Sequence, residues 1–244
     1  GAGRADAAEG AGPPLLQVLV DATPEGGRLR PPAGIWAGPV VIRRRIAIDG
    51  GGAVTVDAGG HGTVLRIEAD GVEVRGLRLR GSGGRHDAVD AGIAVAGSGN
   101  RIEDNDIEDC LFGIDLAQSN DNVVRRNRIR SNSRDTALRG DAIRLWYSFR
   151  NQIVDNDLED VRDVVVWYST DNLFARNRVV RGRYAFHTMY GHRNRVEDND
   201  LRDNMTGIFL MYSDGVEIRR NRILGAQGAT GVGVGFKESS SIVL

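Results

Sequence analysis

The sequence holds a single cysteine, Cys110, among 244 residues, so no disulfide can form within the chain. Neither sign of charge is in excess: 32 basic residues face 33 acidic ones, for a net charge of -1. That balance gives no electrostatic reason to expect nucleic acid or an anionic membrane as a partner. Apolar runs are short, and the stretch Val161 to Tyr168 is interrupted by Arg162 and Asp163. A membrane span needs roughly 20 apolar residues, so the expectation is no span of its own. Aromatics are sparse at 6% and methionines number 3. The chain opens on Gly1 and runs GAGRADAAEGAGPP. That opening suits the mature side of a removed signal peptide or a cloning boundary, and residues 1–14 are expected to be disordered.

What is abundant is glycine, at 33 residues, and a recurring asparagine. The segments NRIEDNDI (100–107), NVVRRNRI (122–129), NQIVDNDL (151–158), NLFARNRV (172–179), NRVEDNDL (194–201) and VEIRRNRI (216–223) align without gaps, with VEVRGLRL (72–79) as a weaker copy. Their inner Asn falls at Asn105, Asn127, Asn156, Asn177, Asn199 and Asn221, at intervals of 22, 29, 21, 22 and 22. Short alternating runs at a period near 22 predict an all-β chain, a right-handed single-stranded parallel β-helix. A leucine-rich repeat would need a Leu-rich consensus and a helical segment, and neither is present. Each repeat is then one coil, stacked at about 4.8 Å. The inward Asn amides can bond to one another from coil to coil, as buried amides must. The domain reading is one β-helix over 1–244, with coils from about residue 15. The next repeat is expected to begin near Ser240 and to stop mid-coil at Leu244, as a piece of a longer protein would.

The residues flanking the inner Asn alternate in sign coil by coil. Before it stand Asp104, Arg126, Asp155, Arg176, Asp198 and Arg220; after it stand Asp106, Arg128, Asp157, Arg178, Asp200 and Arg222. Stacked opposite charges satisfy each other, which leaves few carboxylates for the acid–base chemistry of carbohydrate-processing β-helices. Asp109, Asp115 and Asp163 lie outside these columns, and no pair of them makes an acid–base site. The expectation is a protein that is not an enzyme. The insertions 81–92 and 131–142 enter at one turn and should emerge on one side.

Counting back from each Asn motif places two columns inward and three outward. Outward at minus seven stand Asp115, Arg144, Val165, His187 and Phe209; at minus five, Ala117, Trp146, Trp167, Met189 and Met211; at minus four, Gln118, Tyr147, Tyr168, Tyr190 and Tyr212. Gly233 and Gly235 are expected to follow above, leaving open space over Met211. An outward Trp and Met stripe needs a cover, a partner or a ligand. Cover would come from the insertion 131–142 or a further segment. A docking face would use Trp146, Trp167, Tyr147, Tyr168, Tyr190 and Tyr212, since Trp and Tyr dominate interface hot spots. A soft-metal site would use Met189, Met211 and His187, with His192 and Met205 as outer candidates, because thioether and imidazole suit Cu(I). The stretch FHTMYGH (186–192) concentrates this chemistry: two of the four His and one of the three Met fall within it.

The segments VVVWYS (164–169), GRYAFHTMYGHRNRVEDNDLRDNMTGIFLMYS (182–213) and VEIRRNRILG, with PAGIWAGPVVI and IDGGG near the start, resemble the NosD family. The resemblance implies a periplasmic accessory protein of nitrous oxide reductase maturation. It implies partners: an ABC transporter of permease and ATPase, a copper chaperone lipoprotein and the reductase apo-protein. It implies transient handling of Cu(I) rather than catalysis. Two other functions stay open on the residues: a carbohydrate-binding or carbohydrate-processing β-helix, with the aromatic stripe stacking on sugar rings, and a metal-free docking platform.

Overall fold

The computed structural model describes residues 12–133, 135–229 and 231–244. Most of the 1–14 segment, residues 1–11, lies outside the described residues. The chain winds into a right-handed parallel β-solenoid of about nine turns with coils near 22 residues. Every pairing between strands is parallel. One nine-stranded sheet carries the strands Val40–Ile42, Leu65–Ile67, Ala91–Val95, Phe112–Ala117, Ile143–Trp146, Asp163–Trp167, Tyr184–Met189, Thr206–Met211 and Val234–Lys237. This is called the face sheet below. The remaining walls are two strips per coil, such as Arg101–Glu103 and Asp106–Cys110, joined through the long strand Glu73–Arg80.

The corner between those two strips is the inner Asn. Asn156 shows the arrangement: its Nδ2 donates to Asn177 Oδ1 (3.0 Å) and to the Val124 carbonyl (3.0 Å), while its Oδ1 accepts from the Asn127 backbone N–H (3.0 Å) and Asn127 Nδ2 (3.1 Å). A corner breaks the strand ladder, and the side-chain amide supplies the donor and acceptor that the turned backbone lacks. The first Asn of each motif builds a second ladder, Asn122 to Asn151 to Asn172 to Asn194, with steps of 2.8 to 3.1 Å. Beside it, Ser148 and Ser169 hydroxyls accept from the backbone N–H of the preceding coil.

The charges before the inner Asn pair across coils as expected. Arg126 meets Asp104, Arg176 meets Asp155 and Arg220 meets Asp198, each at 2.7 Å. These six residues hold φ between 51° and 58°, so they also form the left-handed corner itself. In the column after the inner Asn, Arg178 meets Asp157 at 2.6 Å, but Asp200 is held by Arg202 of its own strand.

Leu15 bridges in parallel to Ala37, one period of 22 residues further on, and a helix follows it directly. Leu16–Ala22 is a helix that buries Leu16 and Val20 on the first coil. Its Gln17 amide donates to the Val41 carbonyl (3.0 Å) and accepts from the Val41 N–H (2.7 Å). The first face strand would otherwise present an open edge, and one side-chain amide closes it.

The insertions 81–90 and 132–142 do share one turn, the approach to the face sheet. A third insertion, 225–233, enters there too. It lengthens that coil to 26 residues, since Ile208 pairs with Val234. The register above Met211 therefore moves by two from the sequence expectation. Phe209 pairs with Gly235 and Met211 with Lys237, and Glu217 bridges to Val243. Lys237 fills the space expected to be open, with Nζ 5.5 Å from the Tyr212 ring centre.

Candidate functional site

The face sheet sets the outward columns where the repeat puts them. Trp146 pairs with Trp167, Trp167 with Met189 and Met189 with Met211. Arg144 pairs with Val165, Val165 with His187 and His187 with Phe209. Adjacent members of a column are one coil apart, about 4.8 Å. Trp146, Trp167, Met189 and Met211 are all half-buried. The described part of the insertion 131–142 lies away from them. It sits at the opposite end of the strand Ile143–Trp146, where Gly140 bonds to Leu111 and Arg139 to the Arg181 carbonyl.

His187 departs most from the sequence picture. It lies on the outer side of the sheet yet is 9% exposed. Between Asp163 and Val165 the register slips against Tyr184 and His187, a bulge of one residue. The bulge brings Tyr184 over the imidazole, with ring centres 4.8 Å apart and planes 26° apart. Trp167 and Phe209 close the sides, each 6.3 Å away, at 87° and 64°. Neither ring nitrogen of His187 has a hydrogen-bond partner. Desolvation lowers its pKa; Asp163 opposes that and Arg183 adds to it. A neutral imidazole with a free lone pair is the form that binds metals. The Trp167 Nε1 beside it is also buried and unpartnered.

Buried ion pairs flank this face, and sequence reading did not find them. Asp115 meets Arg144 at 2.7 Å, and Asp141 meets Arg162 at 3.0 Å. Asp163, 1% exposed at its side chain, holds Arg183 through both oxygens and accepts from the Tyr184 N–H at 3.0 Å. Desolvation pushes the Asp115 carboxyl up, and pushes Asp141 up to about 6. The only sequence signal was negative: these acids stand outside the alternating columns. Each carboxylate has its own arginine, so none is a free acid–base pair.

The other sequence candidates lie apart. Met205 is exposed at the turn before Thr206–Met211. Six residues of strand separate it from Met211, roughly 20 Å at the rise of a β-strand. His192 lies beyond the other end of Tyr184–Met189, and its Nδ1 accepts from the Asp214 N–H at 3.1 Å. Cys110 is buried in the core, and desolvation pushes its thiol up to about 12.

The tyrosines form a stack along the solenoid. Tyr147, Tyr168, Tyr190 and Tyr212 follow at ring distances of 4.9, 5.1 and 4.9 Å, with planes within 11°. All four hold φ near 50°, the corner that ends each face strand. Their inner faces cover one another, so a partner meets mainly ring edges and hydroxyls. Sugar stacking would need free faces.

Chemically, the face offers two thioethers on adjacent coils and one neutral imidazole. If metal–sulfur bonds run about 2.3 Å, as for zinc thiolates, two sulfurs on one ion sit about 4 to 4.6 Å apart, near the coil spacing. That donor set fits a soft ion. Among the described residues, no three His, Cys, Asp or Glu side chains gather as a group able to hold a metal. No helix among them is long and apolar enough to cross a membrane.

Residues 132–244 match the NosD family, described as "Periplasmic copper-binding protein (NosD)". A Pseudomonas aeruginosa relative, named "Probable ABC transporter binding protein NosD", is 35% identical over 141 residues. The match takes 56% of this chain and 33% of the relative, so the chain spans about a third of that relative's length. Among solved structures, an alginate lyase is similar with a TM-score of 0.65 at 14% identity, over 85% of this chain and 57% of that one. The polygalacturonase of Erwinia carotovora ssp. carotovora has a TM-score of 0.64 at 12% identity, over 98% and 97%. The A-module of an Azotobacter vinelandii mannuronan C-5 epimerase reaches 0.62 at 15%, over 92% and 74%. These likenesses concern the fold alone.

Proposed function

We propose, from the premise that the chain is NosD-like, that it is a periplasmic accessory protein that binds and passes on Cu(I) as cargo. Met189, Met211 and His187 are the proposed ligands. The observation that carries this reading is the register of Met189 on Met211, with the unpartnered, neutral His187 two residues along the same strand. Thioether and imidazole hold Cu(I) without the closed four-ligand shell of a structural site. A cargo ion must leave again, so an incomplete shell that a partner can enter suits transfer.

The same reading covers the partners. An ABC transporter, a copper chaperone and the nitrous oxide reductase apo-protein are proposed to meet this chain in the periplasm. The tyrosine edges, above all the exposed Tyr147 and Tyr190, are the proposed contact. Met205 and His192 are assigned to relay or partner-side roles, because the fold holds them away from the pair.

The test is an anaerobic Cu(I) competition titration of the chain beside Met189→Ala/Met211→Ala. One equivalent bound by the parent and lost in the double variant is the expected result. Equal binding by both, or none by either, removes the site from this face and returns FHTMYGH to docking or packing.

A further inference from the structure

We propose that Trp167 lies against the bound ion as a cation–π cap, and that Trp146 does not. The proposal rests on the Met189/Met211/His187 reading and adds a fourth, aromatic, contact to it.

Three observations single out Trp167. First, it adjoins both kinds of ligand: its backbone pairs with Met189, and its ring centre is 6.3 Å from that of His187. A cation is attracted to an indole face within about 6 Å of its centre. The cap requires an ion shared by Met189 and His187 to sit within that reach of the Trp167 ring, which is their immediate neighbour. Second, Trp146 already has a cation. The Arg144 guanidinium sits 5.0 Å from its ring centre, held there by Asp115 at 2.7 Å. Among the described residues the cation–π pairs are those of Trp146, Tyr184 and Tyr212, so Trp167 is the indole of this stripe with no cation against it. Third, Trp167 is not placed by a hydrogen bond. Its Nε1 is buried without a partner, although buried indoles usually find one. Its position is set instead by edge contacts to Trp146, at 5.8 Å and 65°, and to His187.

The chemistry matches the cargo. An indole face favours a cation that has shed its water. A monovalent ion on thioethers is such a cation, whereas a hydrated divalent ion is not. The ring also covers the site without adding a bond that must be broken at transfer. Selectivity for Cu(I) and Ag(I) over Zn(II) follows from that.

The experiment uses the full chain with Trp36→Phe and Trp146→Phe, so that Trp167 is the sole indole. Cu(I), and Ag(I) as a redox-inert probe, are titrated anaerobically while Trp167 emission is followed. Affinity is measured in parallel for Trp167→Leu and for Trp167→Phe, which keeps an aromatic face; thermal melts check that each variant folds. The expected result is a loss of emission that saturates at one equivalent, with no response to Zn(II). Affinity should fall about tenfold in Trp167→Leu and less in Trp167→Phe, in line with desolvated cation–π contacts. One equivalent bound through the methionines with Trp167 emission and Trp167→Leu affinity unchanged overturns the cap and leaves the ligand reading standing. No binding, or binding indifferent to Met189→Ala/Met211→Ala, overturns both.

Discussion

Replacing His187 by Phe should stabilise the metal-free protein. His187 is 9% exposed, and both of its nitrogens lack partners. A buried polar group without a hydrogen bond costs about 1–3 kcal/mol. Some water reaches the ring, so the two groups together are discounted to about 2 kcal/mol here. Phe keeps a flat ring against Tyr184 and Trp167, and Phe209 one coil above shows that this column accepts one. For a chain of this size, about 2 kcal/mol is a rise of roughly 4–8 °C in Tm.

The same substitution carries a pH signature. The folded pKa of His187 lies below its usual 6.5, so the unfolded chain takes up the proton first. Its contribution is intact above about pH 6.5 and is lost as pH falls below it. Stability of the parent should therefore drop through that range, and His187→Phe should lose that part of the slope. Paired melts of parent and variant at pH 7.5 and pH 5.5 measure both effects. A variant less stable than the parent at pH 7.5, with the slope retained, would refute the assignment of an unpartnered neutral imidazole. It would mean that His187 is held by bonds worth more than the ring contacts. A residue that weakens the empty protein and is kept for its lone pair is what a ligand position predicts.

Four further outcomes follow from the fold. Asn156→Ala should cost about 3 kcal/mol, since it strands the Asn127 N–H and opens the ladder on both sides, whereas Asn221→Ala, half-buried at the ladder's last step, should cost about 1 kcal/mol; urea midpoints compare them. Arg126→Ala should cost under about 1 kcal/mol in the same assay, because the Asp104 pair is exposed and screened. Gly113→Ala should lower the midpoint by about 2 kcal/mol or more: its Cβ would lie 2.2 Å from the Ala142 carbonyl oxygen, a backbone atom that cannot swing away. Asp141, pushed up to about 6, contributes stability below about pH 4 that is lost by about pH 6; Asp141→Asn should flatten the melting profile across that window.

The repeat made much of this molecule legible in one dimension. A coil of fixed length turns spacing along the chain into stacking in space. The inner Asn ladder, the alternating charges before the inner Asn, and the Trp–Met and Tyr columns could therefore be read by counting, and the pairings of Trp146, Trp167, Met189 and Met211 fall where counting puts them. Counting fails where the coil length changes. The third insertion moved Lys237, not Gly235, onto Met211, and the helix at Leu16–Ala22, which the Asn repeat does not announce, packs Leu16 and Val20 into the core. Burial could not be counted at all. His187 stands in an outward column, yet a bulge and three aromatic neighbours enclose it. Asp115, Asp141 and Asp163 find their arginines only once the coils are stacked. The sequence by itself determined which residues share a column, because that depends on the period alone. The tertiary structure decided which of them are dry, paired or free, because that depends on what side chains of three successive coils leave uncovered between them.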